Sequence, residues 1–192
     1  MICFFFEKQL LDKNVYNHAA HVFIWARNES KLWNFDLNAS ILMQLRFDGF
    51  IGFPGGFVDP TDLSIESGLN RELNEELNIN NKKYVLAKNN HFFSTLNSEK
   101  KMVLHFYTFE VSTESFREIE LDSMHSQDYG GEVMGIIRPP LFETNRDRGF
   151  SIFISHQFIG NALVQFLKAI IYLNIMPKQS IINAINSHNS KL

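Results

Sequence analysis

Hydrophobic and polar positions change their period several times along the chain. The run "AAHVFIWAR" is dense in β-branched and aromatic residues and predicts a strand. "SILMQLRFDG" begins apolar, turns alternating, and breaks at Asp48-Gly49 before "FIGFPGG", which predicts a hairpin. From Asp62 to Leu77 the period lengthens: Leu63, Ile65, Leu69, Leu73 and Leu77 recur at helical spacing. "KYVLAKNNHFFST" and "KMVLHFYTFEV" predict two further strands around a polar turn, and "GEVMGIIRPPLF" another, stopped by Pro139-Pro140. "FIGNALVQFLKAIIYLNI" is a strongly apolar helix closed near Asn174, ahead of Pro177. The polar end "NAINSHNSKL" is expected to fray. The order β, β, α, β, β, β, α implies an α/β fold, a mixed sheet with helices against it.

Composition bounds the setting. With 192 residues, 45% hydrophobic and 14% aromatic, 19 of them Phe, the chain suits one packed domain, 1–192, with a core over about residues 15–175. A net charge of −3 argues against a general polyanion binder, so any nucleic-acid contact must come from a local site. The paired lysines Lys82-Lys83 and Lys100-Lys101 fall in expected loops and read as solvated surface. One cysteine, Cys3, excludes an internal disulfide and suits a reducing, intracellular compartment. "MICFFF" is too short for a membrane span or signal peptide, so no membrane association is expected.

One stretch carries chemistry. In "GFPGGFVDPTDLSIESGLNRELNEELNIN" a Gly-rich turn leads into a helix bearing Glu72, Glu75 and Glu76. These sit at i, i+3 and i+4, on one helical face. Crowded carboxylates raise one another's pKa and cost stability, and a divalent cation removes that cost. Hard oxygen ligands with no nearby Cys or paired His favour Mg²⁺ or Mn²⁺ over zinc. Gly55-Gly56 lets the backbone approach a ligand closely. Two glutamates at i, i+4 alone would read as a solvated face, and Arg71 with Glu75 as ordinary helix support.

The whole stretch resembles the Nudix box, whose second half is filled by "RELNEELNI", Arg71 to Ile79. Two departures stand out. Counting back from Arg71, the family's first Glu falls on Leu63, and the glycines lie one residue further upstream, so Asp59 or Asp62 is left to compensate. The family's late Gly is Asn78, a residue that tolerates the left-handed conformation of a helix end. Together with "NHAAHVFIWA", "LHFY", "GEVMGIIRPPLF" and "SHQFIGNALVQFL", the chain resembles the subfamily of small nucleolar RNA decapping enzymes that also act as (deoxy)inosine diphosphatases.

The resemblance implies an α/β/α sandwich that hydrolyses the diphosphate linkage of IDP, dIDP and related GDP or ITP, or of capped RNA. It implies Mg²⁺ or Mn²⁺ (or Co²⁺), a homodimer, and a place in the nucleus, nucleolus or cytoplasm. Metal ligands would be Glu72, Glu75, Glu76 and the Gly55 carbonyl, with a box glutamate or Glu132 of "DYGGEV" as base. His21, Arg46, Phe53, Phe57, Asn161 and Gln165 would bind substrate, Gln165 reading the hypoxanthine edge. His18 and His21 point to opposite faces of a strand, so a shared ion is not expected, and His18, His91, His105 and His125 read as structural. Two alternatives stay open: another substrate such as ADP-ribose, or a binding protein like the relative of this subfamily that lost its box.

Overall fold

A computed structural model describes residues 15–79, 83–142 and 148–189. Cys3, the "MICFFF" stretch and Lys82 lie outside the described residues. The long first strand, β1 (Asn17–Leu32), organises the sheet. It pairs antiparallel with β2 (Phe35–Ile41) through its second half and with β5 (Gly55–Val58) through His18–His21. It also runs parallel to β7 (Met102–Glu110), which pairs antiparallel with β6 (His91–Asn97). A second sheet holds β3 (Met43–Arg46) between β4 (Ile51–Gly52) and β8 (Val133–Ile137). The main sheet is therefore mixed, as expected.

Helices cover both faces. On one side α1 (Ile65–Leu77) and α2 (Thr113–Ser123) bury Leu69, Leu73, Leu77, Phe116 and Ile119 against Ala20, Val22, Ile24 and Tyr107 of the sheet. On the other side α4 (Ala162–Tyr172) and α5 (Lys178–Asn189), with the short α3 (Phe150–Phe153), enclose an aromatic core of Phe23, Phe53, Phe106, Phe150 and Phe166. The α/β/α layering follows from β1, whose alternate side chains feed both cores. Among the described residues no helix is long and apolar enough to cross a membrane.

Several expectations are corrected. "SILMQLRFDG" is not one strand: β2 ends at Ile41, β3 starts at Met43, and the chain changes sheet at the buried Leu42. The 43–46 and 51–52 segments do form the expected hairpin. In "KYVLAKNNHFFST" pairing begins only at His91, after a 3₁₀ turn at Lys88–Asn90. Helix α1 starts at Ile65, because Ser64 caps it by accepting from Ser67 N–H and the Ser67 hydroxyl answers the Ser64 N–H. Leu63 therefore lies outside the helix and is 97% exposed, not a core position. The polar end is helical through Asn189, pinned by buried Ile181 and Ala184. Asn78 takes the left-handed C-cap, φ 54°, its N–H reaching the Asn74 and Leu73 carbonyls.

Candidate active site

An open cavity of about 1120 Å³ lies over the ends of β1 and β5, walled by α1 and by the start of α4. Glu72, Glu75, Glu76, Glu132, Gly55, His21, Arg46, Phe53, Phe57, Asn161 and Gln165 all line it. They come from segments up to 144 residues apart, and the antiparallel pairing of His21 with Gly55 brings two of these segments together.

The three helix glutamates are held differently. Glu76 is 5% exposed; its Oε2 accepts from the Gly55 N–H at 2.7 Å and the Gln44 amide at 3.3 Å. Burial outweighs those two bonds and pushes its pKa up to about 8, with the Glu72 and Asp128 charges adding to the rise. Glu72 is also shifted upward, burial first, against the pull of Arg71. Arg71 Nη1 donates to Glu72 Oε1 at 2.9 Å and to Glu75 Oε2 at 3.0 Å. Gly55 sits at φ 119°, where a Cβ would stand 2.2 Å from the Ala20 carbonyl oxygen. A Cβ on Gly56 would stand 2.5 Å from Glu72 Oε2.

These features fit a divalent cation. The donors are carboxylate oxygens, the Gly-Gly backbone is pressed against one of them, and a buried carboxyl with a raised pKa gains most from a cation that keeps it ionised. Among the described residues no three His, Cys, Asp or Glu side chains converge on a single point; the Arg71 guanidinium occupies Glu72 and Glu75 instead.

The substrate side is less uniform. His21 sits on the cavity floor, its imidazole lowered to about 4 by burial and the Arg46 charge. Arg46 is held by Asp48, through Nε at 3.2 Å and Nη2 at 3.0 Å. Phe57 is exposed at the rim, whereas Phe53 borders the cavity but is buried in the aromatic core, its ring centroid 5.0 Å from that of Phe106. The Asn161 amide donates to Thr95 Oγ1 at 3.1 Å. Gln165 is 3% exposed, and its Nε2 has no hydrogen-bond partner. Glu132 lines the cavity from its loop, with its carbonyl accepting from Phe47 N–H.

His18 and His21 do face opposite sides, as the strand geometry required. The His18 ring stacks on His105, with Nδ1 2.9 Å from His105 Nε2. Sequence reasoning missed Gln44 and Asp128, and it read Lys100 as solvated surface where the residue lines the cavity. Gln44 was legible as a polar residue between the apolar Met43 and Leu45; Asp128 and Lys100 reach the cavity from loops.

Residues 18–176 match the family described as Nudt16-like, U8 snoRNA-decapping enzyme-like. The chain is 40% identical to a U8 snoRNA-decapping enzyme of Ovis aries, over 84% of each chain. It is 36% identical to a Tudor-interacting repair regulator protein of Homo sapiens, over 92% of this chain and 83% of that one. In fold it is similar to the NUDIX domain of Shewanella oneidensis NrtR complexed with ADP ribose, with TM-score 0.53 at 15% identity, covering 82% of this chain and 88% of that one. A mutT/nudix family protein from Listeria innocua aligns with TM-score 0.52 at 16% identity, over 83% of this chain and 96% of that one.

Proposed function

The chain belongs to the Nudt16-like family of Nudix hydrolases, and on that premise we propose that it is a metal-dependent diphosphatase for deaminated purine nucleotides, IDP and dIDP, and for the 5′ caps of RNA. The observation that carries the substrate reading is Gln165. A buried amide without a partner costs stability, and here it faces the same cavity as the glutamates. Its donor and acceptor suit the edge of hypoxanthine, which presents one of each. A family relative named for U8 snoRNA decapping supports the cap arm of the proposal.

Glu72, Glu75, Glu76 and the Gly55 carbonyl would hold Mg²⁺ or Mn²⁺. When bound, the cation neutralises phosphate oxygens and makes a bound water more acidic. The remaining work is positioning. Gly55 N–H and Gln44 fix Glu76, Arg71 fixes Glu72 and Glu75, and His21 with Gln165 orients the base. Arg46, held by Asp48 and lining the cavity, meets ribose or phosphate. Glu132, which lines the same cavity, would serve as the base toward an attacking water. Phe57 at the rim stacks on the purine, and Asn161 supports Gln165. The protein acts as one domain in a homodimer, within the cell.

The intact Glu72, Glu75 and Glu76 weigh against a role limited to binding protein or RNA partners. The test is steady-state hydrolysis of inosine, guanosine and adenosine di- and triphosphates, a cap analogue and ADP-ribose, with Mg²⁺ or Mn²⁺ and an EDTA control. Metal-dependent turnover of inosine nucleotides well above adenosine ones is the expected result. Turnover of ADP-ribose alone would overturn the substrate reading and keep the chemistry, and no turnover of any of them would overturn both.

A further inference from the structure

The Nudix pattern places its upstream acid on residue 63, where this chain has Leu63, a side chain 97% exposed. No group at that position can serve the cavity. One residue earlier, Asp62 turns inward, with its side chain 12% exposed. Asp62 Oδ1 accepts from Arg71 Nε at 3.4 Å and Oδ2 from Nη2 at 3.1 Å, a fork-to-fork pair. Oδ2 also accepts from the Asp59 N–H at 2.8 Å, while the Asp62 N–H reaches back to the Asp59 carbonyl at 3.0 Å. The turn 59–62 is thereby closed on itself, and its carboxylate is presented to Arg71.

Helix α1 makes room for this. Gly68 lies within the helix, where glycine costs roughly 0.5–1 kcal/mol relative to alanine. A Cβ there would stand 2.8 Å from Asp62 Oδ2 and 3.0 Å from Val58 Cγ1. The glycine permits the close approach.

Arg71 has five N–H donors, and each has an acceptor. Nε and one Nη2 hydrogen meet Asp62; the other Nη2 hydrogen meets the Phe57 carbonyl at 2.9 Å; Nη1 divides between Glu72 and Glu75. Neighbours at i, i+1 on a helix do not normally face each other. Arg71 reaches Glu72 because its stem is bent back toward the 57–62 loop and clamped there. Asp59 is a weaker second contact, 3.6 Å from Nη2 and itself exposed.

We propose that Asp62 is a positioning residue that, through the Arg71 guanidinium, fixes the Glu72 and Glu75 carboxylates on the cavity wall in place of the family's upstream glutamate. This rests on the proposed role of those two glutamates. Without the fork, Arg71 keeps its charge but swings on a flexible stem, and the two carboxylates lose their common geometry.

Asp62→Asn, Asp59→Asn, Leu63→Glu and Asp62→Asn with Leu63→Glu decide it, each checked first by thermal melting without metal. In Asp62→Asn, kcat on IDP with Mg²⁺ falls roughly tenfold while KM stays within about twofold. In the same variant, without metal, the Arg71 Nε–H exchanges with water roughly tenfold faster by ¹⁵N-resolved NMR. Asp59→Asn and Leu63→Glu stay within about twofold of wild type in both readouts, and the double variant behaves as Asp62→Asn. Wild-type kcat in Asp62→Asn, an equal loss in Asp59→Asn, or recovery in the double variant would overturn the inference. A wild type without diphosphatase activity would sink the functional reading alone, and unaltered Arg71 exchange would then sink the Asp62 assignment independently.

Discussion

His18 and His21 lie three residues apart on one strand and differ in what surrounds them. On the α1 face His18 meets His105, whose Nδ1 lies 2.8 Å from the Ser94 hydroxyl; that hydroxyl lies 2.8 Å from His91 Nε2 at the surface. The four side chains there are linked to one another in a chain. On the cavity face His21 looks toward Arg46, three carboxylates and the unpartnered amide of Gln165. Both His105 and His21 are lowered to about 4, burial being the first cause in each. Equal shifts thus arise in a closed structural network and in an open site. What separates them is what each face meets: side chains linked to one another on one, an open cavity lined by carboxylates on the other.

The largest effect should come from breaking the open side. Glu76, with its pKa near 8, is mostly protonated at neutral pH without metal, so Gln mimics its resting state. Glu76→Gln should reduce metal-dependent turnover by roughly 10²- to 10³-fold, while the melting temperature at pH 6–7 in EDTA stays close to wild type. Activity like wild type would remove Glu76 from the metal site.

Acid sharpens the comparison next. A histidine whose pKa is depressed on folding stabilises the fold fully above its unfolded value, 6.5, and loses that contribution as pH falls toward 4. His21 and His105 should each withdraw up to about 3 kcal/mol over that window. Glu76 has the opposite sign. Its folded pKa is raised from 4.5 to about 8, so its contribution is whole below 4.5 and lost as pH rises through 8. Urea unfolding in EDTA from pH 4 to 9 should show both limbs. Glu76→Gln should remove the alkaline one, and His21→Asn should lessen the acid one without abolishing it, because His105 remains. An acid limb that vanishes with His21 would show that the closed network contributes nothing to it.

Gln165→Leu carries a smaller effect with two signs. Discrimination of inosine over adenosine diphosphate should fall about tenfold, the worth of one or two hydrogen bonds. Stability without ligand should rise by up to about 1 kcal/mol, because an unpartnered buried amide is removed. A stability loss instead would mean that the amide is part of the closed packing.

The two faces were not equally legible in the sequence. Helix α1 was readable because Leu69, Leu73 and Leu77 bury one stripe while Glu72, Glu75 and Glu76 follow a recognisable spacing. The substrate side was reachable only by resemblance, since nothing local says that residues near 21 and 165 share a cavity; strand pairing and helix packing bring them together. The strand break at Leu42 was hidden because Ile41, Leu42 and Met43 are all fully buried and read as one apolar run. Helix α2 escaped notice because its buried residues among charges are Phe116, Ile119 and Ser123, and α5 because Asn and Ser dominate around Ile181 and Ala184. For both helices, tertiary burial of a few side chains decides what weak periodicity could not. The His18–His105–Ser94 chain had no signal beyond scattered histidines, because its members pair across three strands.

Ser94→Ala gives the smallest effect and the cleanest separation of the faces. Ser94 and Thr95 are neighbours on β6, and alternation sends them to opposite sides: Ser94 to His105 and His91, Thr95 to the cavity, where it accepts from Asn161. Ser94→Ala removes the hydroxyl that links the two imidazoles and leaves His105 Nδ1 to whatever water can reach it. The expected cost is about 0.5–1 kcal/mol in urea unfolding at pH 7, with kcat and KM on IDP unchanged. Thr95→Val should do the reverse, freeing the Asn161 amide and altering KM while stability stays within about 0.5 kcal/mol. If Ser94→Ala lowered activity as well, the sheet would transmit between its faces, and the division between a closed network and an open site would fail.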